Sequence, residues 1–191
     1  MLLNILKQLN WVDLFILIIL WRVIYIAFKT GFIPELFKLI GIILSIYISM
    51  HYYTGLSDFI RGRIDIDSKA PLEFLDFFCF SILAILSYLF SVLLREAFCR
   101  LIKTEAVPAL NRMGGIIIGG VRAILTASLF VFLLTISSVS YLKVSAEDAY
   151  LSRRIFNVAP NTYKGIWKSV VSKFATKEKF NDTIRQVQEN F

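Results

Sequence analysis

Residues 77–94 run for eighteen positions without one charged side chain. A helix of that length comes close to crossing the ~30 Å hydrocarbon core of a bilayer, at about 1.5 Å per residue. Three more apolar blocks lie at 11–28, 36–53 and 116–139. They are broken only by Asp13 and Arg22, by Lys38, and by Arg122, respectively. The runs are continuous, not alternating, which points to helices and away from barrel strands. Composition agrees: 57% of the chain is apolar and 18% charged, against about 25% charged in a soluble domain. The expected fold is all-α and integral to the membrane, with about four transmembrane helices in residues 1–142. Residues 143–191 form a basic, helical, amphipathic C-terminal tail.

The connections refine this reading. Residues 29–34 make a short link containing Gly31 and Pro34. Pro34 suits the first turn of the next helix, where Glu35 meets the positive end of the dipole. Spans one and two are therefore expected to form a tight hairpin. The first block has a basic residue ahead of it, Lys7, but Trp21-Arg22-Val23 is no small-residue cleavage site, so it reads as a retained span. The fourth block has two readings. Residues 116–139 bury Arg122 about two turns inside; residues 123–142 leave it at the interface. With four spans both termini share one side. Lys69 and the basic tail, which holds nine of the 21 Lys and Arg residues, favour the cytoplasm over the side of Lys103. A net charge of +7 placed this way suits an anionic membrane surface, not nucleic acid. Cys79 and Cys99 form neither a disulfide framework nor a metal spacing.

Some polar residues sit where lipid should be. Arg22 is near the middle of span one, where an arginine costs at least ~2.5 kcal/mol on insertion scales; it needs a partner, water or a snorkelling route. Glu35 and Asp13 are the nearest acids in sequence. Arg112, Gly115, Gly119, Arg122 and Thr126 recur at intervals of three and four, so they share one face if the segment is helical. Gly115 and Gly119 form a small-xxx-small pair that admits a close neighbouring helix. The alternative is loose turn geometry at Gly114-Gly115 and Gly119-Gly120. His51, the one histidine, sits among tyrosines at the end of span two, an interfacial setting with no metal-binding companions. In the tail, Ile166, Trp167, Val170, Val171 and Phe174 form one apolar stripe beside Lys164, Lys168 and Lys173; Phe180, Ile184, Val187 and Phe191 form another. Such stripes lie on a membrane surface or dock on a protein; Trp167, Lys164 and Lys168 are read as membrane-interface residues.

Several segments together resemble a known family. Asn10-Trp11-Val12-Asp13 opens span one, Lys29-Thr30-Gly31-Phe32 with Glu35 follows it, and His51-Tyr52-Tyr53-Thr54 closes span two. Before span four stands Asn111-Arg112-Met113-Gly114-Gly115-Ile116-Ile117-Ile118-Gly119-Gly120-Val121-Arg122. These resemble the colicin V production proteins of bacteria, the CvpA family. That family's pattern is an acid, Arg, two residues, Gly, three residues, Gly, two residues, a basic residue and Gly. Arg112, Gly115, Gly119 and Arg122 fit it; Asn111 stands where the acid is usual and Ala123 where Gly is. The resemblance implies an inner-membrane protein needed for production or export of a peptide toxin, or for envelope function more broadly.

No HExxH, GxSxG, Walker A or GxGxxG motif occurs, and one histidine does not furnish an intramembrane protease. The expectation is a non-enzymatic protein with no catalytic residue, cofactor or metal. Its partners are the lipid bilayer and either further copies of itself or other membrane proteins. The second reading is a small oligomeric channel with a polar path lined by Arg22, Arg112 and Arg122.

Overall fold

The computed structural model describes residues 10–63, 72–101, 108–175 and 178–191. Lys7, Lys69, Lys103 and the side chains of Cys99 and Arg100 lie outside it. Four long helices, α1 (Trp11–Thr30), α2 (Phe32–Arg63), α3 (Leu72–Leu101) and α4 (Pro108–Thr135), are followed by a cluster of short ones. These are α5 (Ser140–Asp148), α6 (Tyr150–Ile155), α7 (Val158–Ile166), α8 (Ser172–Phe174) and α9 (Thr183–Glu189), with a π-helical turn at Trp167–Val171 between α7 and α8. All four long helices are apolar enough to cross a membrane. Ile85, Leu86, Leu89, Phe90 and Leu93 of α3 stand exposed, a continuous apolar strip that belongs in lipid.

Local chemistry sets the ends of α1. Asn10 and Asp13 form a capping box: the Asn10 side chain accepts from the first turn, and Asn10 N–H donates to Asp13 Oδ2 at 3.1 Å. At the other end Gly31 takes φ 81°, a conformation open to glycine and strained for other residues. The expected six-residue link thus shrinks to Gly31 alone, and α2 starts at Phe32. Asn111 of α4 reaches across to this corner, where its Oδ1 accepts from Phe32 N–H at 2.7 Å. One orphan donor at the start of α2 is satisfied this way.

In packing order the bundle runs α3, α2, α4, α1, with α2 against both α3 and α4, and α1 mainly against α4. Small residues allow the close approaches. A methyl at Gly41 would lie 2.8 Å from Ser91 Cβ, and Ser45 donates to the Ala84 carbonyl at 2.7 Å across the α2–α3 seam. On the α1–α4 seam, a Cβ at Gly115 would meet the Ala27 carbonyl at 2.9 Å and the Gly31 backbone, and a Cβ at Gly119 would overlap the Ala27 methyl. The glycine pair therefore faces α1 of the same chain, and α4 is helical through both Gly-Gly steps.

Two expected boundaries change. The helix that carries the fourth block is Pro108–Thr135, so it starts before residue 116 and ends before residue 139, and Arg122 lies well inside it. Beyond Thr135 the chain turns: Ser137 N–H donates to Leu134 O, and Ser137 Oγ accepts from Val139 N–H. Ile136 is apolar because it is buried in the core shared with the tail, not because it meets lipid. The tail stripe Phe180, Ile184, Val187 and Phe191 also packs into that core; Ile184 is fully buried, and the Phe191 ring stacks on Phe156 at 3.8 Å. This stripe docks on the chain's own bundle and is not a membrane-facing surface.

The glycine contacts give a sharp contrast. Gly119→Val should lower stability by about 1–3 kcal/mol through overpacking, read as a lower thermal midpoint in detergent. Gly120, with nothing within 4 Å of its Cβ position, should accept alanine with a change near zero.

Candidate functional site

The first turn of α2 carries Glu35, whose side chain is wholly buried. Three side chains converge on its carboxylate. Oε1 accepts from Lys38 Nζ at 2.5 Å and from Thr30 Oγ1 at 2.6 Å. Oε2 accepts from Arg122 Nε at 2.9 Å, with Nη2 of the same guanidinium 2.7 Å away. The Glu35–Lys38 spacing of three places both on one helix face, and Thr30 sits on the last turn of α1. Arg122 comes from α4, 87 residues away in sequence, and buries all but 7% of its side chain. A lone carboxylate here would be strongly disfavoured; with one cation on each oxygen it is held as an ion. Gly119 contributes space: its Cβ position lies 3.6 Å from Glu35 Oε2.

Beside this cluster is a cavity of about 340 Å³ between the four long helices. Ile19, Arg22, Val23 and Ile26 of α1 line one wall and Tyr88 of α3 the other, with Ile42, Arg122 and Thr126 between them. Thr126 Oγ1 donates to the Arg122 carbonyl at 2.8 Å. Arg22 is exposed at this cavity. It pairs with neither Glu35 nor Asp13, the acids nearest in sequence. Glu35 is taken by Arg122 and Lys38, and Asp13 is taken by helix caps. Arg112 lies apart from the cavity, exposed, with its guanidinium 5.7 Å from the Phe28 ring centre.

Asp13 does a second task. Besides capping α1 it accepts from Tyr150 N–H at 3.1 Å and Leu151 N–H at 2.8 Å, so one carboxylate caps α1 and α6 together. Asn10 Nδ2 donates to the Ser145 carbonyl. Ser128 of α4 likewise donates to the Phe156 carbonyl and accepts from Ala159 N–H, both at 2.8 Å. Within α2, His51 is buried between the stacked rings of Tyr47 and Trp167. Its Nδ1 lies 3.0 Å from Tyr163 Oη and its Nε2 2.8 Å from Glu178 Oε2. Tyr163 Oη accepts from Asn181 N–H, and burial raises the phenol's pKa, opposed by that hydrogen bond. His51 thus bridges Tyr163 and Glu178 through its two ring nitrogens. Asn181 Nδ2 donates to the Met50 carbonyl at 2.8 Å. Trp167 is half-buried against His51, Lys164 is half-buried, and Lys168 is exposed. Among the described residues no group of three or more His, Cys, Asp or Glu is placed to hold a metal.

A family model for the colicin V production protein matches residues 12–160, which is most of the chain and takes in every contact of the Glu35 cluster. The chain belongs to the colicin V production protein family. No curated protein and no solved structure matches it.

The two departures from the family pattern now have a physical reading. Asn111 accepts a backbone N–H through Oδ1, and an aspartate oxygen accepts the same bond, so the position asks for an acceptor. Ala123 is fully buried, and the added methyl is accommodated there. Sequence reasoning singled out Glu35 and Arg122 separately but missed that they pair, and it missed Thr30, Lys38 and Tyr88 as members of the site. The i, i+3 spacing of Glu35 and Lys38 was a usable signal; the position of Tyr88 across the cavity left none.

Glu35→Gln should cost about 3–5 kcal/mol, because Arg122 and Lys38 stay buried without their counter-ion. Adding Arg122→Gln should recover part of that loss in a double-mutant cycle of detergent unfolding. His51→Ala should speed limited proteolysis near residues 175–180 several-fold and leave the α1–α2 hairpin uncut, a difference readable by intact-mass analysis of the fragments.

Proposed function

We propose that the protein is a non-enzymatic inner-membrane accessory of the process its family is named for, toxin production and export, or of envelope homeostasis more broadly. The observation that carries this reading is the Glu35 cluster. The charges deepest in the bundle are spent on one another and join α1, α2 and α4. Arg122 is held by Glu35 and so is fixed in the packing of the bundle. The one histidine is likewise engaged on both ring nitrogens, by the Tyr163 hydroxyl and the Glu178 carboxylate. Both termini lie in the cytoplasm in this reading, where the positive-inside preference puts the basic tail. Val170 and Phe174 remain exposed beside Lys168 and Lys173, an apolar and basic ridge suited to an anionic membrane surface or a partner protein.

A small oligomeric pore is the second reading, and one observation favours it: the cavity that borders both Arg22 and Arg122. Liposome flux separates the two. Arg22→Ala is the informative variant, because Arg122 holds the bundle together and Arg22 does not. Purified protein is expected to leave liposomes tight to chloride and small solutes, while a strain lacking the gene shows a toxin-export or envelope-sensitivity defect that the intact gene repairs. Chloride flux that disappears in Arg22→Ala, with the protein still folded, would overturn the accessory reading in favour of the pore.

A further inference from the structure

Arg22 is a cation at mid-membrane depth that no group of the described chain neutralises. It stands eleven residues after the start of α1 and eight before its end, and it takes part in none of the ion pairs or hydrogen bonds of the described residues. An arginine in that position is costly unless it faces an anion, a water-filled space or another charged group. Within the described spans, Asp58, Asp76 and Glu96 stand close to the ends of their helices, and Asp13 and Glu35 are fully buried and committed. A second copy of these spans therefore has no exposed carboxylate at this depth to offer.

The surroundings of Arg22 say what kind of anion fits. The cavity walls include Ile19, Val23, Ile26 and Ile42, which suit a hydrocarbon chain. The Tyr88 ring faces them with its hydroxyl free of any partner among the described residues, and Arg122 presents a buried Nη2 that has no aligned hydrogen-bond acceptor. Arg122 donates one clear hydrogen bond, through Nε, although a guanidinium carries five N–H groups. Two guanidinium groups and a phenol beside an aliphatic wall match a phosphate with an attached chain. The volume, about 340 Å³, falls in the ordinary range for ligand sites that are mainly apolar with a few convergent polar groups. α1 and α3 do not pack side by side among the described residues, so the gap between them faces lipid.

We propose that the gap between α1 and α3 binds an anionic phospholipid, with Arg22 taking the phosphate, the unused donors of Arg122 and the Tyr88 hydroxyl assisting, and the acyl chain lying along Ile19, Val23, Ile26 and Ile42. The headgroup is drawn below the ordinary interface, which the local thinning and water penetration around membrane arginines permit. The binding goes beyond the accessory reading and holds whether that reading or the pore is correct.

The test is thermal unfolding of the delipidated full-length protein in neutral detergent, titrated with phosphatidylglycerol, phosphatidylcholine or inorganic phosphate. Phosphatidylglycerol at a hundredfold excess over its Kd should raise the Tm by roughly 5 °C or more; phosphatidylcholine and phosphate should not. Arg22→Gln should remove the shift. Ile26→Trp, which fills the wall, should remove it as well, while Lys29→Gln, an exposed cation on the same helix outside the cavity, should keep it. Native mass spectrometry should show one lipid adduct on the intact protein and on Lys29→Gln, and none on Arg22→Gln. An equal response to phosphatidylcholine, or to inorganic phosphate alone, would overturn the proposal, as would a shift retained in both Arg22→Gln and Ile26→Trp.

Discussion

A carboxylate inside a membrane protein must be protonated, hydrated or matched by cations. Glu35 is matched, and the match organises the bundle. Because its oxygens are shared among Thr30, Lys38 and Arg122, the end of α1, the start of α2 and the middle of α4 are fixed to one point. The hydrophobic effect offers little help there, since lipid tails are as apolar as the helix faces. Polar contacts and close backbone packing must do more of the joining. The glycines at 115 and 119 belong to the same solution: they let α4 approach α1 closely, and this proximity brings the Arg122 side chain to Glu35.

The opposite end of the bundle is built differently. There the caps and carbonyls of α1, α2 and α4 are met by the C-terminal helices, through Asp13, Ser128 and the His51–Asn181 region. Each contact joins a spanning helix to a segment outside the spans, and the aromatic stack from Phe80 through Phe132 and Phe156 to Phe191 runs between the two. The tail is thus a lid packed on one end of the bundle, with the ridge around Phe174 on its outward side.

Much of this architecture was legible in the sequence, and the part that was not has a common cause. The four spans follow from run length and hydropathy, which are local. The hairpin at Gly31 follows from Gly and Pro placement, also local, and even the glycine face of α4 was visible in its spacing. What failed was reasoning about apolar residues with two possible neighbours. Ile136 read as part of the last span, and the stripe of Phe180, Ile184, Val187 and Phe191 read as seeking either a membrane surface or a protein; both bury against this chain, and hydropathy does not distinguish these fates. Pairings across long separations were likewise hidden: Arg122 with Glu35, His51 with Glu178, Asp13 with the start of α6. The polar residues were all noticeable, and their partners were set by topology. The family pattern marks Arg122 and the glycines but carries no statement of what they touch.

The spacing of the Glu35 partners bears on how such a chain enters the membrane. Helices are inserted in order as the chain emerges from the ribosome, and Arg122 emerges long after Glu35. During that interval the hairpin of α1 and α2 carries a carboxylate with only its near neighbours for company. Lys38, three residues on, and Thr30, five residues back, are present from the outset, so the charge is already half-answered when the hairpin enters lipid. The long-range arginine then arrives as a latch on an assembly that is already tolerable to the bilayer. A buried charge with only the distant partner would face the translocation machinery alone; this one carries a chaperone in its own helix.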